Sequence, residues 1–435
     1  MKVMKWSVIA MAVAAGTSQM ALASSQSESE GFVEGSSLTI LNRNLYMNRD
    51  FRDNGNNPPR DEDGNLTGEN GQSYREAWGH GFIGTFESGF TQGTIGVGVG
   101  AIGLWGVKLD TGRGRVGNGL FPTDSEGRAK DDYSQAGAAI KFRASNTVLK
   151  YGTQFVALPV FSTDDSRLLP ETAVGAIISS SEIEGLELNA GRFTALSSQT
   201  DPNHDSLGLD EIIFVGGTYA FSDSLSTSLY YSDLKDAFKK YYGNANYNME
   251  LGGDQSLAFD FNIYQSEYES EYVGTANDED NTIWSLAGSY AFDAHKLTVA
   301  YQQSHGGVDG VGYIYGDDGG GTVWLANSVQ YSDFNGEGEK SWQARYDLNM
   351  ASYGVPGLSF MTRYVQGWDI STDTGEGKER EWDVEAKYVV QDGAAKDLSL
   401  RLRHAKYWSN SDYAPINGTD LTDLRLIVEY PLSIL

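Results

Sequence analysis

Segments in which apolar and polar side chains alternate recur along almost the whole chain. Each is roughly ten residues long and is closed by glycine, asparagine, aspartate or serine, whereas convincing helical periodicity is missing. Alternation with a period of two predicts strands that have one apolar and one polar face. The clearest segments are Gly79–Ser88, Ala138–Ala144, Leu186–Phe193, Ile212–Phe221, Leu225–Leu234, Gln255–Tyr264, Thr282–Phe292, Lys296–Ser304, Trp342–Met350, Leu358–Gln366, Trp382–Val390, Leu398–Tyr407 and Leu421–Tyr430. With weaker candidates added, the chain predicts an all-β fold of about 18 strands.

The first 23 residues have the pattern of a secretory signal peptide. Lys2 and Lys5 precede an apolar core, SVIAMAVAA, and the small residues Ala21–Ala23 form a cleavage motif. We therefore expect export and a mature chain that begins at Ser24. No linker or change of composition divides residues 24–435, so we expect the mature chain to form a single domain.

The chain is strongly acidic, with a formal net charge of −27. Without Lys2 and Lys5 it has 30 basic and 59 acidic residues, a net charge of −29. This charge excludes a nucleic-acid partner, which requires a basic face. The acidic segments Arg60–Asn70, Thr275–Asn281 and Ser371–Asp383 predict solvated loops. Cysteine is absent, so neither disulfide bonds nor thiol chemistry is available.

The connections between the predicted strands are of two kinds. Some are short turns, such as Ser222–Asp223, and others are long, polar and rich in glycine. An antiparallel up-and-down barrel in a membrane has this arrangement, with short turns at one rim and longer loops at the other. Aromatic pairs such as Tyr230–Tyr231 and Tyr407–Trp408 suit the interfacial girdles of such a barrel. A soluble sandwich also has alternating strands, but the strand count and the closing strand up to Leu435 favour a transmembrane β-barrel in the outer membrane.

The segment Ile95–Val107 is apolar but has only 13 residues, fewer than the roughly 20 that a membrane-spanning helix needs. Glycine occupies positions 96, 98 and 100, and apolar side chains occupy 97, 99 and 101. The pattern predicts a strand with an apolar outer face and a bare inner face. We expect a loop folded into the barrel to pack against that bare face.

The segment Leu398–Tyr407 has leucine at 398, 400 and 402, and Ser399, Arg401 and Arg403 between the leucines and after them. If the leucines contact lipid, the arginines point into the barrel. The opposite arrangement would cost about 2–4 kcal/mol for each arginine near the middle of the bilayer. No acidic residue shares this inner face, so the segment predicts a column of unpaired guanidinium groups.

The same reasoning predicts inward-facing cations on other strands. They are Arg43, Lys141, Arg143, Lys150, Arg345, Arg363, Lys387 and Arg425. Together with Arg401 and Arg403, they predict a lumen that attracts anions and binds carboxylates. An alternative interpretation remains open, in which individual cations form structural ion pairs with Asp347, Glu385 or Glu429.

Two other classes of function are possible for such a barrel. A structural barrel without transport would pair its inner charges. An outer-membrane hydrolase would have to assemble His204, Asp210 and a serine in space, since no nucleophile-elbow motif is present. The five histidines have no metal-binding spacing, and we expect no enzyme activity, no metal and no cofactor.

Several long blocks of the sequence are similar to those of one known family. They are Ser36–Asn54, Phe86–Gly103, Ser166–Gly175, Asp254–Tyr264, Leu325–Asn349 and Val428–Leu435. These blocks resemble the OprD family of outer-membrane carboxylate channels. The resemblance covers essentially the whole mature chain. It implies an eighteen-stranded barrel in which inward-folded loops form a narrow eyelet beside a ladder of basic residues. Such channels pass small carboxylates by facilitated diffusion.

The resemblance also implies positions for the eyelet. Phe155–Pro170 matches the family's constriction loop, and we expect it to be the loop that packs on the glycines of Ile95–Val107. Gly316–Asp333 matches a second inward loop. Ser328, Tyr331 and Asp333 would then lie opposite the arginines, and a solute with a carboxylate and a hydroxyl or amine could be held at both ends.

One branch of the family is associated with basic amino acids and small peptides, and another with cyclic or aromatic acids such as benzoate. The segment Ser197–Glu211 resembles the aromatic-acid branch more closely, so we expect that class, with basic amino acids as the alternative. The expected partners are small carboxylate solutes and the lipid and lipopolysaccharide of the outer membrane. The expected state is a monomer or a weak homotrimer.

Overall fold

The structure is a computed structural model that describes residues 26–52, 72–112, 114–201, 203–308 and 310–435. The predicted signal peptide, its cleavage site and the acidic segment Arg60–Asn70 lie outside the described residues.

The regular secondary structure of the described residues is almost entirely β-strand. The strands are β1 (Ser37–Asp50), β2 (Tyr74–Glu87), β3 (Ile95–Asp110), β4 (Asp132–Ala144), β5 (Thr147–Gln154), β6 (Ala157–Leu158), β7 (Phe161–Ser162), β8 (Thr172–Ile183), β9 (Leu186–Ser197), β10 (Ile212–Ala220), β11 (Leu225–Leu234), β12 (Phe238–Gly252), β13 (Gln255–Tyr268), β14 (Glu279–Phe292), β15 (His295–Gly306), β16 (Lys340–Asn349), β17 (Leu358–Thr372), β18 (Gly375–Val389), β19 (Ser399–Ser409) and β20 (Leu421–Ser433). β6 and β7 form a small hairpin, and the other strands form one 18-stranded antiparallel sheet. β20 pairs with β1, which closes the sheet into the predicted barrel.

Within the described ranges, four short helical segments lie before β1 or between the strands. They are the 3-10 turns Gln26–Glu28 and Met350–Tyr353 and the α-helical turns Ser270–Val273 and Ala414–Asn417. None of the helices in the described ranges is long and apolar enough to cross a membrane.

Side chains of the barrel strands alternate between the outer face and the interior, as the sequence predicted. Leu400 and Leu402 on β19 are each 43% exposed on the outer face, while Arg401 and Arg403 between them point inward. Other apolar residues on the outer face, such as Phe360 of β17 and Leu426 of β20, are similarly exposed. In a bilayer these exposed apolar side chains contact lipid, so the outer surface suits a membrane.

The two rims of the barrel differ in their connections. Residues 145–146, 184–185, 253–254 and 293–294 are tight turns at one end, which we call the turn rim. Residues 111–131, 155–171, 198–211 and 307–339 are long connections at the other end, which we call the loop rim. Outer-membrane barrels have short periplasmic turns and longer extracellular loops, so the loop rim is the extracellular one.

The prediction of an acidic loop at Ser371–Asp383 is wrong. β17 continues to Thr372 and β18 begins at Gly375, so the connection is only residues 373–374. Glu379 and Glu381 alternate with exposed residues and point into the barrel, where each is at most 3% exposed. Polar residues on both faces of the first half of β18, residues 375–381, hid the alternation, because the periodicity of a strand is visible only when one face is apolar.

Candidate functional site

The connection between β5 and β8, residues 155–171, folds into the barrel and crosses it. On one side, Phe161 packs against Phe193 of β9 and Phe214 of β10, with ring centroids 4.8 and 6.0 Å apart. On the other side, Asp165 accepts hydrogen bonds of 2.7 and 3.0 Å from both terminal nitrogens of Arg43 on β1. β10 and β1 are seven places apart round the closed sheet, so this constriction loop spans the interior.

Two glycines of β2 make room for the constriction loop. A Cβ atom on Gly81 would lie 2.8 Å from the backbone oxygen of Leu168, and one on Gly79 would lie 2.7 Å from the Leu168 side chain. Both distances are shorter than non-bonded contacts of a carbon atom allow. The absence of side chains at these positions therefore allows the loop backbone to lie directly on the barrel wall.

The prediction that the constriction loop packs on the glycines of β3 is wrong, although the strand itself and its outward apolar face are confirmed. Positions 96, 98 and 100 lie near the turn rim, below the level of the loop. A Cβ on Gly96 would meet Gln26, and one on Gly98 would meet Gly89 and Ser88. The bare face accommodates the first described residues and the β2–β3 turn instead.

A second loop, residues 307–339, also folds inward and is fixed at several points. Asp318 forms an ion pair with Lys240 of β12, with 2.5 Å between Oδ2 and Nζ. Near its other end, Glu381 of β18 accepts hydrogen bonds of 2.9 Å from the backbone N–H groups of Tyr331 and Ser332. The buried carboxylate of Glu381 thus replaces the water that these backbone groups would otherwise require.

The two inward loops contact each other inside the barrel. The Ser162 N–H donates to the Asp318 carbonyl at 3.2 Å, and the Gly321 N–H donates to the Ser162 carbonyl at 3.1 Å. Gly319 allows this approach, since a Cβ there would lie 2.0 Å from the Ser162 oxygen. The docked loops narrow the lumen, and we call this narrowing the eyelet.

Inward-facing cations occupy adjacent positions on consecutive strands. The strand register places Arg345 opposite Arg363, Lys387 opposite Arg401, and Arg403 opposite Arg425. β1 continues the series beside β20. We call this set the basic ladder; its members are Arg43, Arg49, Arg345, Arg363, Lys387, Arg401, Arg403 and Arg425. The predicted cationic lumen therefore forms one continuous surface over β16–β20 and β1.

The prediction that the guanidinium groups of β19 are unpaired is wrong. Arg401 donates to Glu385 of β18 at 2.6 Å, and Arg403 Nε lies 3.4 Å from the same carboxylate oxygen. Glu385 is directly opposite Arg403 in the β18–β19 register. The sequence of one strand shows no acid on that face because the acid belongs to the neighbouring strand.

Other ladder members are paired more completely. Arg345 binds Asp347 through two hydrogen bonds of 2.8 and 2.7 Å. Arg363 donates to Asp383 at 2.5 Å. Arg43 is held by both Glu429 and Asp165. These three arginines fit the alternative interpretation of structural ion pairs.

Elsewhere in the ladder the cations outnumber the acids that pair with them. Asp423 is shared by Arg49 at 2.8 Å and Arg425 at 2.7 Å, just as Glu385 is shared by two arginines. Lys387 has no ion-pair partner among the residues that the structure describes. The buried Nε atoms of Arg401 and Arg403 lack a hydrogen-bond partner in the same residues. In this part of the lumen wall the five cations therefore outnumber the two carboxylates, Glu385 and Asp423, that pair with them.

The sequence analysis missed two arginines at the eyelet. Arg43 donates a hydrogen bond of 2.8 Å to the Arg167 carbonyl, so Arg167 on the constriction loop lies close to the ladder. Burial and the positive charges of Arg425 and Arg49 lower the pKa of Arg167 to about 10. Arg49 itself stacks over the ring of Tyr331 at 4.8 Å. Loop residues such as Arg167 have no alternation to reveal their direction, and the alternation of β1 is poor.

The three residues of the second loop that were predicted to lie at the eyelet have different contacts. Ser328 donates a hydrogen bond of 2.5 Å to Asp333, and the Tyr315 hydroxyl donates to the same carboxylate. Burial raises the pKa of Asp333 above its ordinary value. Asp333 and Ser328 therefore bind each other rather than an arginine, and Tyr331 is the one of the three that contacts the ladder.

Three predicted cations lie apart from the ladder. Lys141 of β4 and Lys150 of β5 share Glu87, with distances of 2.6 and 2.8 Å. Arg143 donates to Gln26 at 2.8 Å and stacks over Phe90. These contacts join β4 and β5 to the β2–β3 turn, near the turn rim and away from the eyelet.

The interior of β12 and β13 is polar but largely uncharged. Asn244 donates to Asp260 and to Asn262 at 2.9 Å, and the Tyr242 hydroxyl donates to Asn262 at 2.6 Å. Within the described ranges, no group of three or more histidine and acidic side chains has the arrangement of a metal site. The lumen thus has a cationic side and an amide-rich side.

Comparisons with known proteins agree with this architecture. A model of the family described as outer membrane porin, OprD family, matches residues 30–434. The chain is 47% identical over 465 residues to Porin D of Pseudomonas aeruginosa, and the alignment covers 100% of both proteins. OccAB1 of Acinetobacter baumannii matches with a TM-score of 0.86 and 33% identity, over 95% of this chain and 100% of that one. OpdK of Pseudomonas aeruginosa, solved with vanillate, matches with a TM-score of 0.78 and 31% identity, over 93% and 100%. The chain belongs to the OprD family of outer membrane porins.

Proposed function

We propose that this porin passes small carboxylate-bearing solutes by facilitated diffusion along the basic ladder. One observation carries the proposal: on β18–β20 and β1, single carboxylates are shared by two arginines each. A solute carboxylate can accept two parallel hydrogen bonds from a guanidinium group, and it can therefore take the place of a shared acid.

A series of partly satisfied cations suits transport better than one deep site. Conduction requires that a solute binds strongly enough to enter and weakly enough to leave. The cations nearer the turn rim are Lys387, Arg401 and Arg403. Those nearer the eyelet are Arg425 and Arg49. We propose that a carboxylate moves between these groups in short steps. Three other ladder residues have carboxylate partners of their own: Arg43, Arg345 and Arg363. In this proposal they stabilise the barrel wall.

Two kinds of carboxylate-bearing solute are candidates, an aromatic acid and a basic amino acid. The segment Ser197–Glu211 supports an aromatic acid such as benzoate, and OpdK, which was solved with vanillate, is 31% identical. Acidic side chains where the inward loops meet support a basic amino acid. Asp164 interacts electrostatically with Asp333 and with Glu171 there, and this corner would attract an ammonium group. The higher identity to Porin D, 47%, also sets this chain nearer to that protein than to OpdK.

The test is a recording of single channels from the mature protein in a planar lipid bilayer. The reversal potential in a salt gradient measures ion selectivity, and benzoate or arginine is then titrated separately on the loop-rim side. We expect anion selectivity and a current that benzoate reduces in a concentration-dependent way. A response to arginine alone would identify the basic amino-acid alternative. A barrel that is folded but does not conduct would contradict the proposal and favour a structural role.

A further inference from the structure

Four consecutive strands of the barrel have tryptophan on their outer face. Of the nine tryptophans in the chain, four lie on the outward faces of β16–β19, toward the loop rim. They are Trp342, Trp368, Trp382 and Trp408. Indole rings prefer the interface between hydrocarbon and headgroups. This part of the surface therefore lies at the headgroup level of the outer leaflet.

Two cations share that surface and lie over the same ring. The guanidinium carbon of Arg380 is 4.8 Å from the ring centroid of Trp408, and Lys406 Nζ is 4.5 Å from it. The strand register explains this grouping, since Arg380 is opposite Trp408 and Lys406 is opposite Trp382. Among the described residues, neither cation has a carboxylate at ion-pair distance.

Outward cations elsewhere near the loop rim have acidic neighbours. Arg192 of β9 forms an ion pair with Glu211. Lys239 of β12 lies between Asp233 of β11 and Glu267 of β13 in the strand register. In a chain with net charge −27, Arg380 and Lys406 thus differ from these cations in having no acid beside them.

We propose that Arg380, Lys406 and Trp408 form a binding site for the phosphate-bearing headgroup of an outer-leaflet lipid, the lipid A part of lipopolysaccharide. An arginine stacked on an indole keeps its N–H edge free for bidentate binding of phosphate, and the lysine adds a second positive charge. The surrounding indoles contact the sugar and upper acyl region. The site lies outside the lumen, so it is independent of the solute path.

The test measures lipid binding to the mature barrel in detergent by native mass spectrometry, with bisphosphorylated lipid A as the probe. The variant is R380Q/K406Q, and the matched control is K239Q, an outward cation with acidic neighbours. Each cation near an anionic membrane surface contributes about a fivefold factor in affinity, so we expect the double variant to bind about 30-fold more weakly. K239Q should bind like the unmodified protein.

Three results would overturn the proposal. The double variant could bind lipid A as tightly as the unmodified barrel, or K239Q could lose as much affinity as the double variant. Displacement of lipid A by millimolar inorganic phosphate would indicate a site for the free anion rather than for a lipid. Single-channel conductance, which the double variant should leave unchanged, verifies that the barrel is folded.

Discussion

Lys240 of β12 and Asp318 of the second inward loop form an ion pair in which neither side chain has any exposed surface. The Lys240 ammonium group also lies over the rings of Phe238 and Tyr313, at 4.8 and 4.5 Å. Burial raises the pKa of Asp318, and the positive charge of Lys240 opposes that shift. The pair fixes the position of the loop that forms one side of the eyelet, far from the ladder on the other side.

Replacement of Lys240 by methionine should release the second loop without unfolding the barrel. Removal of one partner of a buried ion pair costs about 3–5 kcal/mol, because the remaining charge has no compensation. The backbone hydrogen bonds of the eighteen strands are unaffected. We expect larger and noisier single-channel currents and faster proteolysis within residues 307–339.

The double variant K240M/D318L provides the control for this prediction. An apolar pair of similar volume is often as stable as a buried ion pair. The double variant should therefore recover quiet currents and protease resistance. Equal noise in both variants would show that the loop is not held by this pair.

Replacement of Arg403 by glutamine should reduce anion selectivity. Glu385 would then pair with Arg401 alone, and the wall would lose one of its incompletely paired cations. A unit charge about 4 Å from a solute carboxylate contributes about 1 kcal/mol or more, so carboxylate binding should weaken about fivefold or more. Reversal potentials and carboxylate titrations measure the change. Arg192→Gln removes an arginine from the outer face and should have no effect; a similar loss there would exclude a lumen-specific role.

Replacement of Gly81 by alanine should displace the constriction loop. The new Cβ would lie 2.8 Å from the Leu168 carbonyl oxygen, and a backbone atom can yield only if the loop moves. We expect altered conductance and weaker solute discrimination in a barrel with unchanged resistance to unfolding in detergent. Gly103→Ala on β3 is the matched control, because a Cβ there has no neighbour within 4 Å. An unchanged current in Gly81→Ala would contradict the packing of this loop on β2.

The docking of the two inward loops should depend on pH through Glu171. Its carboxylate accepts hydrogen bonds from the N–H groups of Asp164 and Gly320, at 2.8 and 3.1 Å, and so joins the loops. Burial, together with the charges of Asp164 and Asp318, raises its pKa from 4.5 to about 7 despite these hydrogen bonds.

A raised carboxyl pKa means that the docked state binds a proton more tightly than the undocked state does. The stabilisation, about 3 kcal/mol, is therefore complete below about pH 4.5 and is lost as the pH rises through about 7. We expect current noise to increase between pH 5 and pH 8, and Glu171→Gln to abolish that dependence. Glu126→Gln, which changes an exposed carboxylate of the β3–β4 connection, should retain it. A pH dependence that persists in Glu171→Gln would contradict this assignment.

The sequence predicted the barrel and the direction of most of its side chains. Whether Leu402 faces lipid and Arg403 faces the lumen depends on local alternation, because side chains of a strand point to opposite faces in turn. A charged residue in hydrocarbon is costly enough to decide between the two faces. The same reasoning failed on the first half of β18, residues 375–381, where polar residues on both faces left no apolar side to detect.

What surrounds each inward side chain was decided by the tertiary structure. Arg43 binds Glu429, which is 386 residues away in the chain, because the barrel closes between β1 and β20. Arg403 meets Glu385 through the β18–β19 register, and Gly81 rather than Gly98 receives the constriction loop. Alternation is a property of one strand, and it therefore determines which way a side chain points. Register and closure are relations between strands and determine which charges meet.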